Sequence, residues 1–289
     1  MNRLFKKRVW IGVLFLATIT NGQNGASLEV SYPSNGSLII AGGGVLSEEI
    51  IKTFIDLAGG VDAPIVVVPT AAGLTEYDDN WGKIISNHGA TNVIVLHTDS
   101  KKEANSNKFI KPLKNATGVW FVGGRQWRLA DSYLGTVTEK AFWDVLDRGG
   151  VIGGTSAGAT IQGSYLVRGD TKTNQIMMGD HERGFAFLDN VAIDQHVLAR
   201  NRQFDLFSIL EEKPHLLGIG IDENTAIVVQ GGKFKVLGKS YVLMYDGNFW
   251  SREGTEYKTP LENNGKTFYF LEAGDRYDLK ARKVIDTNE

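Results

Sequence analysis

Apolar residues along this chain gather into short continuous runs. Leu38-Ile39-Ile40-Ala41, Ile65-Val66-Val67-Val68, Val93-Ile94-Val95-Leu96, Val119-Trp120-Phe121-Val122 and Val151-Ile152 are brief and mostly rich in β-branched side chains. Such runs mark strands covered on both faces, the situation of a parallel sheet. Between them the pattern becomes helical, over Ser47 to Ala58, Tyr77 to His88, Gln126 to Tyr133 and Glu139 to Asp147. Ser47 is placed to cap the first helix, and Gly59-Gly60 to stop it. Strands alternating with helices predict an α/β fold built on a doubly wound, mostly parallel sheet. Its chemistry should gather at the C-terminal ends of the strands.

The pattern changes near residue 219. Ile219 to Ile221, Ala226 to Val229, Phe234 to Leu237, Tyr241 to Met244 and Thr267 to Leu271 are short strand-like runs, punctuated by Gly231-Gly232 and Gly238. They predict C-terminal β-hairpins that extend the sheet or fold over one edge. No internal repeat, heptad or low-complexity tract interrupts the chain. The expected organisation is a signal segment over 1–22, a polar linker over 23–37 and a single α/β domain over 38–289.

The signal segment rests on Arg3, Lys6, Lys7 and Arg8, followed by an apolar core from Val9 to Ile19 and small residues at Thr20-Asn21-Gly22. A membrane anchor or a buried first helix is the alternative, but the apolar run is short against the roughly 20 residues of a span. The expectation is an exported protein, periplasmic or secreted, with no stable membrane insertion after cleavage. That segment carries four positive charges and no negative ones, so its removal takes the formal charge from −2 to −6. An acidic mature chain lacks the cationic excess that nucleic-acid binding needs. The absence of cysteine excludes disulfides, thiolate metal sites and a cysteine nucleophile.

Gly153-Gly154-Thr155-Ser156-Ala157-Gly158 follows the run Val151-Ile152 and precedes a helix-compatible segment. In a strand–turn–helix context, a Gly-x-Ser-x-Gly match can hold Ser156 exposed at a sharp elbow as a nucleophile. The Ala157 amide would then donate to a developing oxyanion. The alternative is a glycine-rich turn whose serine merely caps a helix. A serine needs a base, and the base needs an orienting group. Of five histidines, His196 ends the strand-like Ile193-Asp194-Gln195 and is favoured over His215, which follows Pro214 in a loop. His88, His97 and His181 read as surface or core residues. Asp222 and Glu223 both stand at the end of an apolar run, and either can orient His196. Gly42-Gly43-Gly44 reads as a tight turn bordering the site. No metal-ligand spacing is present and no cofactor is expected.

The motifs Phe121-Val122-Gly123-Gly124-Arg125-Gln126, Gly153 to Gly158, Asp194-Gln195-His196 and Gly218-Ile219-Gly220-Ile221-Asp222-Glu223 occur in that order. Together they resemble the cyanophycinase-like serine peptidases, relatives of the aspartyl dipeptidases, over roughly residues 36–245. The resemblance implies a flavodoxin-like fold similar to class I glutamine amidotransferases. It also implies Ser156 as nucleophile, His196 as base and then acid, Glu223 as its orienting group, and the amides of Gly124 and Ala157 as oxyanion hole. Gln126, Asp194, Gln195, Arg200 and Arg202 would bind substrate, a peptide or the cyanophycin-like polymer of aspartate bearing arginine on its side chains. For Arg200 and Arg202 the alternative is one exposed face of a helix after His196. Arg125 and Asp205 depart from the family pattern, where an acid and a third arginine are usual, and so bear on polymer specificity. A homodimer is implied with no interface legible in the chain. The alternatives are an exopeptidase for short acidic or isoaspartyl peptides, an esterase pairing Ser156 with His215, and a periplasmic binding protein that kept the fold without the chemistry.

Overall fold

The computed structural model describes residues 29–253 and 266–285, so the expected signal segment over 1–22 lies outside the described residues. The first apolar run forms β1 (Ser37–Ala41), followed by α1 (Glu48–Ala58) and β2 (Ile65–Val68). Then come α2 (Lys83–Ser86), β3 (Val93–Val95), α3 (Lys101–Ala104), β4 (Gly118–Phe121), α4 (Gln126–Tyr133) and α5 (Val137–Asp147). The serine motif spans β5 (Val151–Thr155) and α6 (Ala157–Thr160).

β1, β5, β4, β2 and β3 are neighbours in that order, and all pair in parallel. Their apolar side chains divide between two layers. Ile39, Ala41, Val67 and Trp120 face α1, where Phe54 meets Trp120 edge to face at 5.0 Å. Leu38, Ile40, Val66, Phe121 and Ile152 face the opposite layer. Burial on both faces is what the unbroken β-branched runs require.

The remaining strands are β6 (Gly163–Tyr165), β7 (Leu188–Gln195), β8 (Leu217–Ile221), β9 (Thr225–Gln230), β10 (Lys233–Gly238) and β11 (Val242–Tyr245). β12 (Tyr269–Leu271), β13 (Arg276–Asp278) and β14 (Lys283–Ile285) complete the set, and α7 (Leu206–Glu212) lies between β7 and β8. β9, β10, β13 and β14 extend the first sheet antiparallel from β1. β12, β11, β8, β7 and β6 form a second sheet. The two sheets share one core, in which Val191, Ile193, Ile219 and Met244 join Leu38, Ile40 and Phe121. On the far face of the second sheet, Ala192 and Leu243 pack with Leu206, Phe207 and Ile209 of α7.

The second sheet is a finding that the hairpin expectation does not contain. The helix expected over Tyr77 to His88 is also interrupted, forming a 3-10 turn at Asp79–Gly82 before the single turn of α2. Nor is there a helix directly after His196: the chain turns through residues 197–201, and α7 begins only at Leu206.

β1 lies between β5 and β9, and Leu38 is fully buried. Leu38→Ala should cost about 2–5 kcal/mol through lost burial and the cavity left behind. Urea denaturation should show a lower midpoint at unchanged slope. A loss below about 1 kcal/mol would place β1 outside the main core.

Candidate active site

Three segments are tied to the turn that leaves β1. The carbonyl of Ala41 accepts from the Ser156 amide at 3.0 Å, that of Gly42 from the His196 amide at 3.0 Å, and that of Gly43 from the Asn224 amide at 2.9 Å. Asn224 is locked further by its side-chain oxygen, which accepts from the Ser47 amide at 2.7 Å. Ser156, His196 and Asn224 have φ of 56°, 54° and 51°. A left-handed backbone at a non-glycine residue costs on the order of 1–3 kcal/mol and persists only where its surroundings over-determine it. Here the same turn supplies a restraint to all three.

That scaffold sets a line of side chains. Ser156 Oγ lies 2.9 Å from His196 Nε2, and His196 Nδ1 lies 2.6 Å from Glu223 Oε1. An ionised carboxylate can only accept, so Nδ1 carries the hydrogen and Nε2 is left to accept from the serine hydroxyl. Such an arrangement can draw a proton from serine and hold the imidazolium that results. His196 is 5% exposed. Burial pushes its pKa below the ordinary 6.5; Glu223 opposes this, and Arg200 and Arg202 add to it. Asp222 is separated from its neighbour by geometry. Its Oδ1 accepts from the amides of Leu198 and Ala199, and its Oδ2 from Ser240.

Close approach explains two parts of the glycine pattern. A Cβ on Gly43, whose φ is 124°, would stand 2.1 Å from His196 Cε1. At the elbow, a Cβ on Gly154 would stand 2.2 Å from the Gly158 carbonyl oxygen, and one on Gly158 would stand 2.2 Å from that of Phe121. The strand and helix on either side of Ser156 meet backbone to backbone. Ala157 opens α6, where its amide has no helical partner. Gly123, the neighbour of Gly124, flanks the serine: a Cβ built on it would lie 3.3 Å from Ser156 Cβ.

The residues expected to bind substrate are placed less uniformly. Gln126 is buried and donates to the carbonyls of Val167 and Arg168 at 2.6 and 2.9 Å. Asp194 is fully buried, and both its oxygens accept from Arg168 at 2.9 Å. Gln195 and Arg202 are also buried and meet each other at 3.3 Å. Arg200 is exposed, with its amide bonded to the His196 carbonyl. Arg125 donates to the Asp170 carbonyl, and Asp205 accepts from Arg168 at 2.6 Å. Gln126 and Asp194 therefore brace the wall of the site, and Arg200 is the exposed cation of the group.

Sequence reasoning passed over Arg168. Its side chain is buried, and it joins Asp194, Asp205 and the Asn174 carbonyl. Nothing in its local motif distinguishes it from a surface arginine. His215 is remote in bonding, with its carbonyl accepting from Arg282. His97 bonds Thr70, and His181 bridges Asp131 and Asp180. Among the described residues, no cluster of His, Asp or Glu could hold a metal ion.

The family model of peptidase family S51 matches residues 38–237. The chain is 30% identical over 261 residues to a cyanophycinase of Geminocystis herdmanii, covering 86% of this chain and 96% of the relative. It is 29% identical over 276 residues to a cyanophycinase of Trichormus variabilis, covering 90% and 91%. Among solved structures, a peptidase from an acI-B1 Actinobacterium superposes with a TM-score of 0.63 at 22% identity, covering 86% of this chain and 98% of that one. A putative peptidase E protein from Listeria monocytogenes gives 0.52 at 16% identity, covering 71% and 99%. These structures share the flavodoxin-like, glutamine-amidotransferase-like fold.

Two outcomes follow from the geometry. Neutral His196 is the form that can accept a proton, and its pKa lies below 6.5. The acid limb of kcat/KM should therefore have its midpoint below pH 6.5 and level off above it. Arg200→Gln removes a cation that depresses this pKa, so the midpoint should move upward. A midpoint already above 6.5 in the unsubstituted protein would contradict the effect of burial. Gly43→Ala must displace the imidazole, and a misplacement of about 1 Å can cost on the order of a hundredfold in rate. Steady-state kinetics should show that loss at retained secondary structure.

Proposed function

The chain belongs to peptidase family S51, and from that premise we propose a serine peptidase that hydrolyses aspartyl peptide bonds through an acyl-enzyme on Ser156. The observation that carries this reading is the line of hydrogen bonds from Ser156 through His196 to Glu223. His196 Nε2 takes the hydroxyl proton as Ser156 Oγ attacks the aspartyl carbonyl. The amides of Gly124 and Ala157 hold the oxyanion of the tetrahedral intermediate. Collapse expels the amine, which receives the proton from His196, and the ester remains on Ser156. Water then enters, loses its proton to His196 and releases the acid, restoring the serine. Glu223 keeps the ring oriented and favours the imidazolium throughout.

For the substrate, the curated relatives are named cyanophycinases. Cyanophycin, degraded to β-aspartyl-arginine dipeptides, is accordingly the first substrate of this proposal. Arg200 and Arg202 suit its carboxylates, with Gln195 positioning Arg202. One observation favours a second reading, an exopeptidase for short acidic or isoaspartyl peptides. Arg168 already occupies Asp194, the acid that would otherwise meet a substrate guanidinium. Export rests on the basic and apolar segment over 1–22 and places the enzyme in a periplasm or outside the cell. A homodimer is part of the same proposal by family resemblance.

Incubation with purified cyanophycin, followed by mass spectrometry, tests both parts. β-Aspartyl-arginine should appear with the unsubstituted protein, and the rate should fall about a thousandfold or more in Ser156→Ala. Undiminished hydrolysis in Ser156→Ala would end the serine mechanism. A folded protein that is labelled by a serine-directed reagent and releases nothing from the polymer would favour short peptides. Absence of labelling would favour a binding protein of the same fold.

A further inference from the structure

The order β9, β1, β5, β4, β2, β3 puts different chemistry on the two sides of Ser156. Glu223 leads into β9, and the His196 amide bonds the Gly42 carbonyl just past the end of β1. On the other side, Asn80, Trp81, Ile84, Val122, Gly123 and Thr155 line a cavity of about 380 Å³. That is within the range of small-molecule sites, roughly 300–1,000 Å³. The cavity adjoins the serine through two of its lining residues: Thr155 precedes Ser156 in the chain, and a Cβ on Gly123 would lie 3.3 Å from Ser156 Cβ.

Its walls are mainly apolar. Trp81, Ile84 and Val122 belong to the layer of side chains that covers the α1 face of the sheet. Trp81 is held in place rather than swinging free. Tyr77 meets it edge to face at 5.2 Å and is itself packed on His97 at 4.3 Å. The Trp81 amide also donates to the Asp78 carbonyl at 3.2 Å. No carboxylate is among the lining residues. Asp78, on the neighbouring turn, is occupied by the backbone and side chain of Asn80. The Thr155 hydroxyl is buried without a hydrogen-bond partner among the described residues.

A guanidinium entering this cavity would lose water without gaining a counter-charge, which is costly. An aromatic or branched aliphatic side chain would instead bury apolar surface against Trp81. We infer that this cavity receives a bulky apolar side chain on the residue joined to the aspartyl group, with Trp81 as the specificity-determining residue. The preferred substrates are then short peptides that link an aspartyl group to phenylalanine or leucine. The acidic part lies toward Arg200 and the apolar part toward Trp81. This inference rests on Ser156 as the reacting group and on the short-peptide reading of the site.

Binding and turnover separate the two ideas. Calorimetry on Ser156→Ala would compare β-aspartyl-phenylalanine, β-aspartyl-leucine, β-aspartyl-arginine and β-aspartyl-glycine. The apolar pair should bind about 10- to 100-fold more tightly than the arginine peptide, the scale on which an apolar pocket discriminates. Adding Trp81→Ala should abolish that preference and leave the glycine peptide unaffected, which also reports an intact fold. Trp81→Phe should restore much of it. Equal affinities, no binding of any peptide, or a preference that survives Trp81→Ala would overturn the inference. The same peptides with the unsubstituted enzyme address the chemistry. Selective binding without turnover would sink the peptidase reading while upholding the cavity, and turnover with no preference would do the reverse.

Discussion

The carbonyls of Ala41, Gly42 and Gly43 accept the amides of Ser156, His196 and Asn224, and the rest of the site follows from where those acceptors stand. β1 is fixed laterally by β5 and β9 and from above and below by two apolar layers. Its end is therefore among the most constrained points of the molecule. Each of the three segments crosses that end in a strained conformation, and each is held there by at least one backbone bond. The 2.9 and 2.6 Å separations along the side chains are the result. Precision at the serine is thus inherited from the packing of the sheet.

Two charge systems lie close together and behave differently. His196 is an isolated imidazole with one carboxylate partner, and its burial favours the neutral form. Arg168 is a buried cation with two carboxylates, Asp194 at 0% and Asp205 at about two-fifths side-chain exposure. The first arrangement can change charge during a reaction. The second is saturated and holds the wall of the site in shape. Removing Arg168 would leave the buried Asp194 carboxylate uncompensated, the situation in which ion pairs matter most to stability.

Much of this was legible in the chain because parallel strands leave a periodic signature. The runs at Ile65 and Val119 fall within a residue of their observed strands, and the serine motif identified its elbow. β6 escaped because Gly163-Ser164-Tyr165 has no apolar run, and of β7 only the end at Ile193 to Gln195 was legible, because Asp189-Asn190 interrupts its start. The chemistry of Asp222 and Glu223 is nearly the same, so only their positions separate them. The backbone acceptors at 41–43 were beyond reach for a different reason: a carbonyl carries no residue-specific mark. Arg168 likewise gains its meaning from partners 26 and 37 residues away.

The saturation of Arg168 bears on how specificity in this fold can drift. An arginine placed at position 205 would set a second cation against Arg168, beside the single fully buried carboxylate of Asp194. The two positions are therefore coupled, and their substitutions will not add independently. A cation introduced at position 205 would have to be accommodated at Arg168, so this contact limits which substitutions the wall accepts.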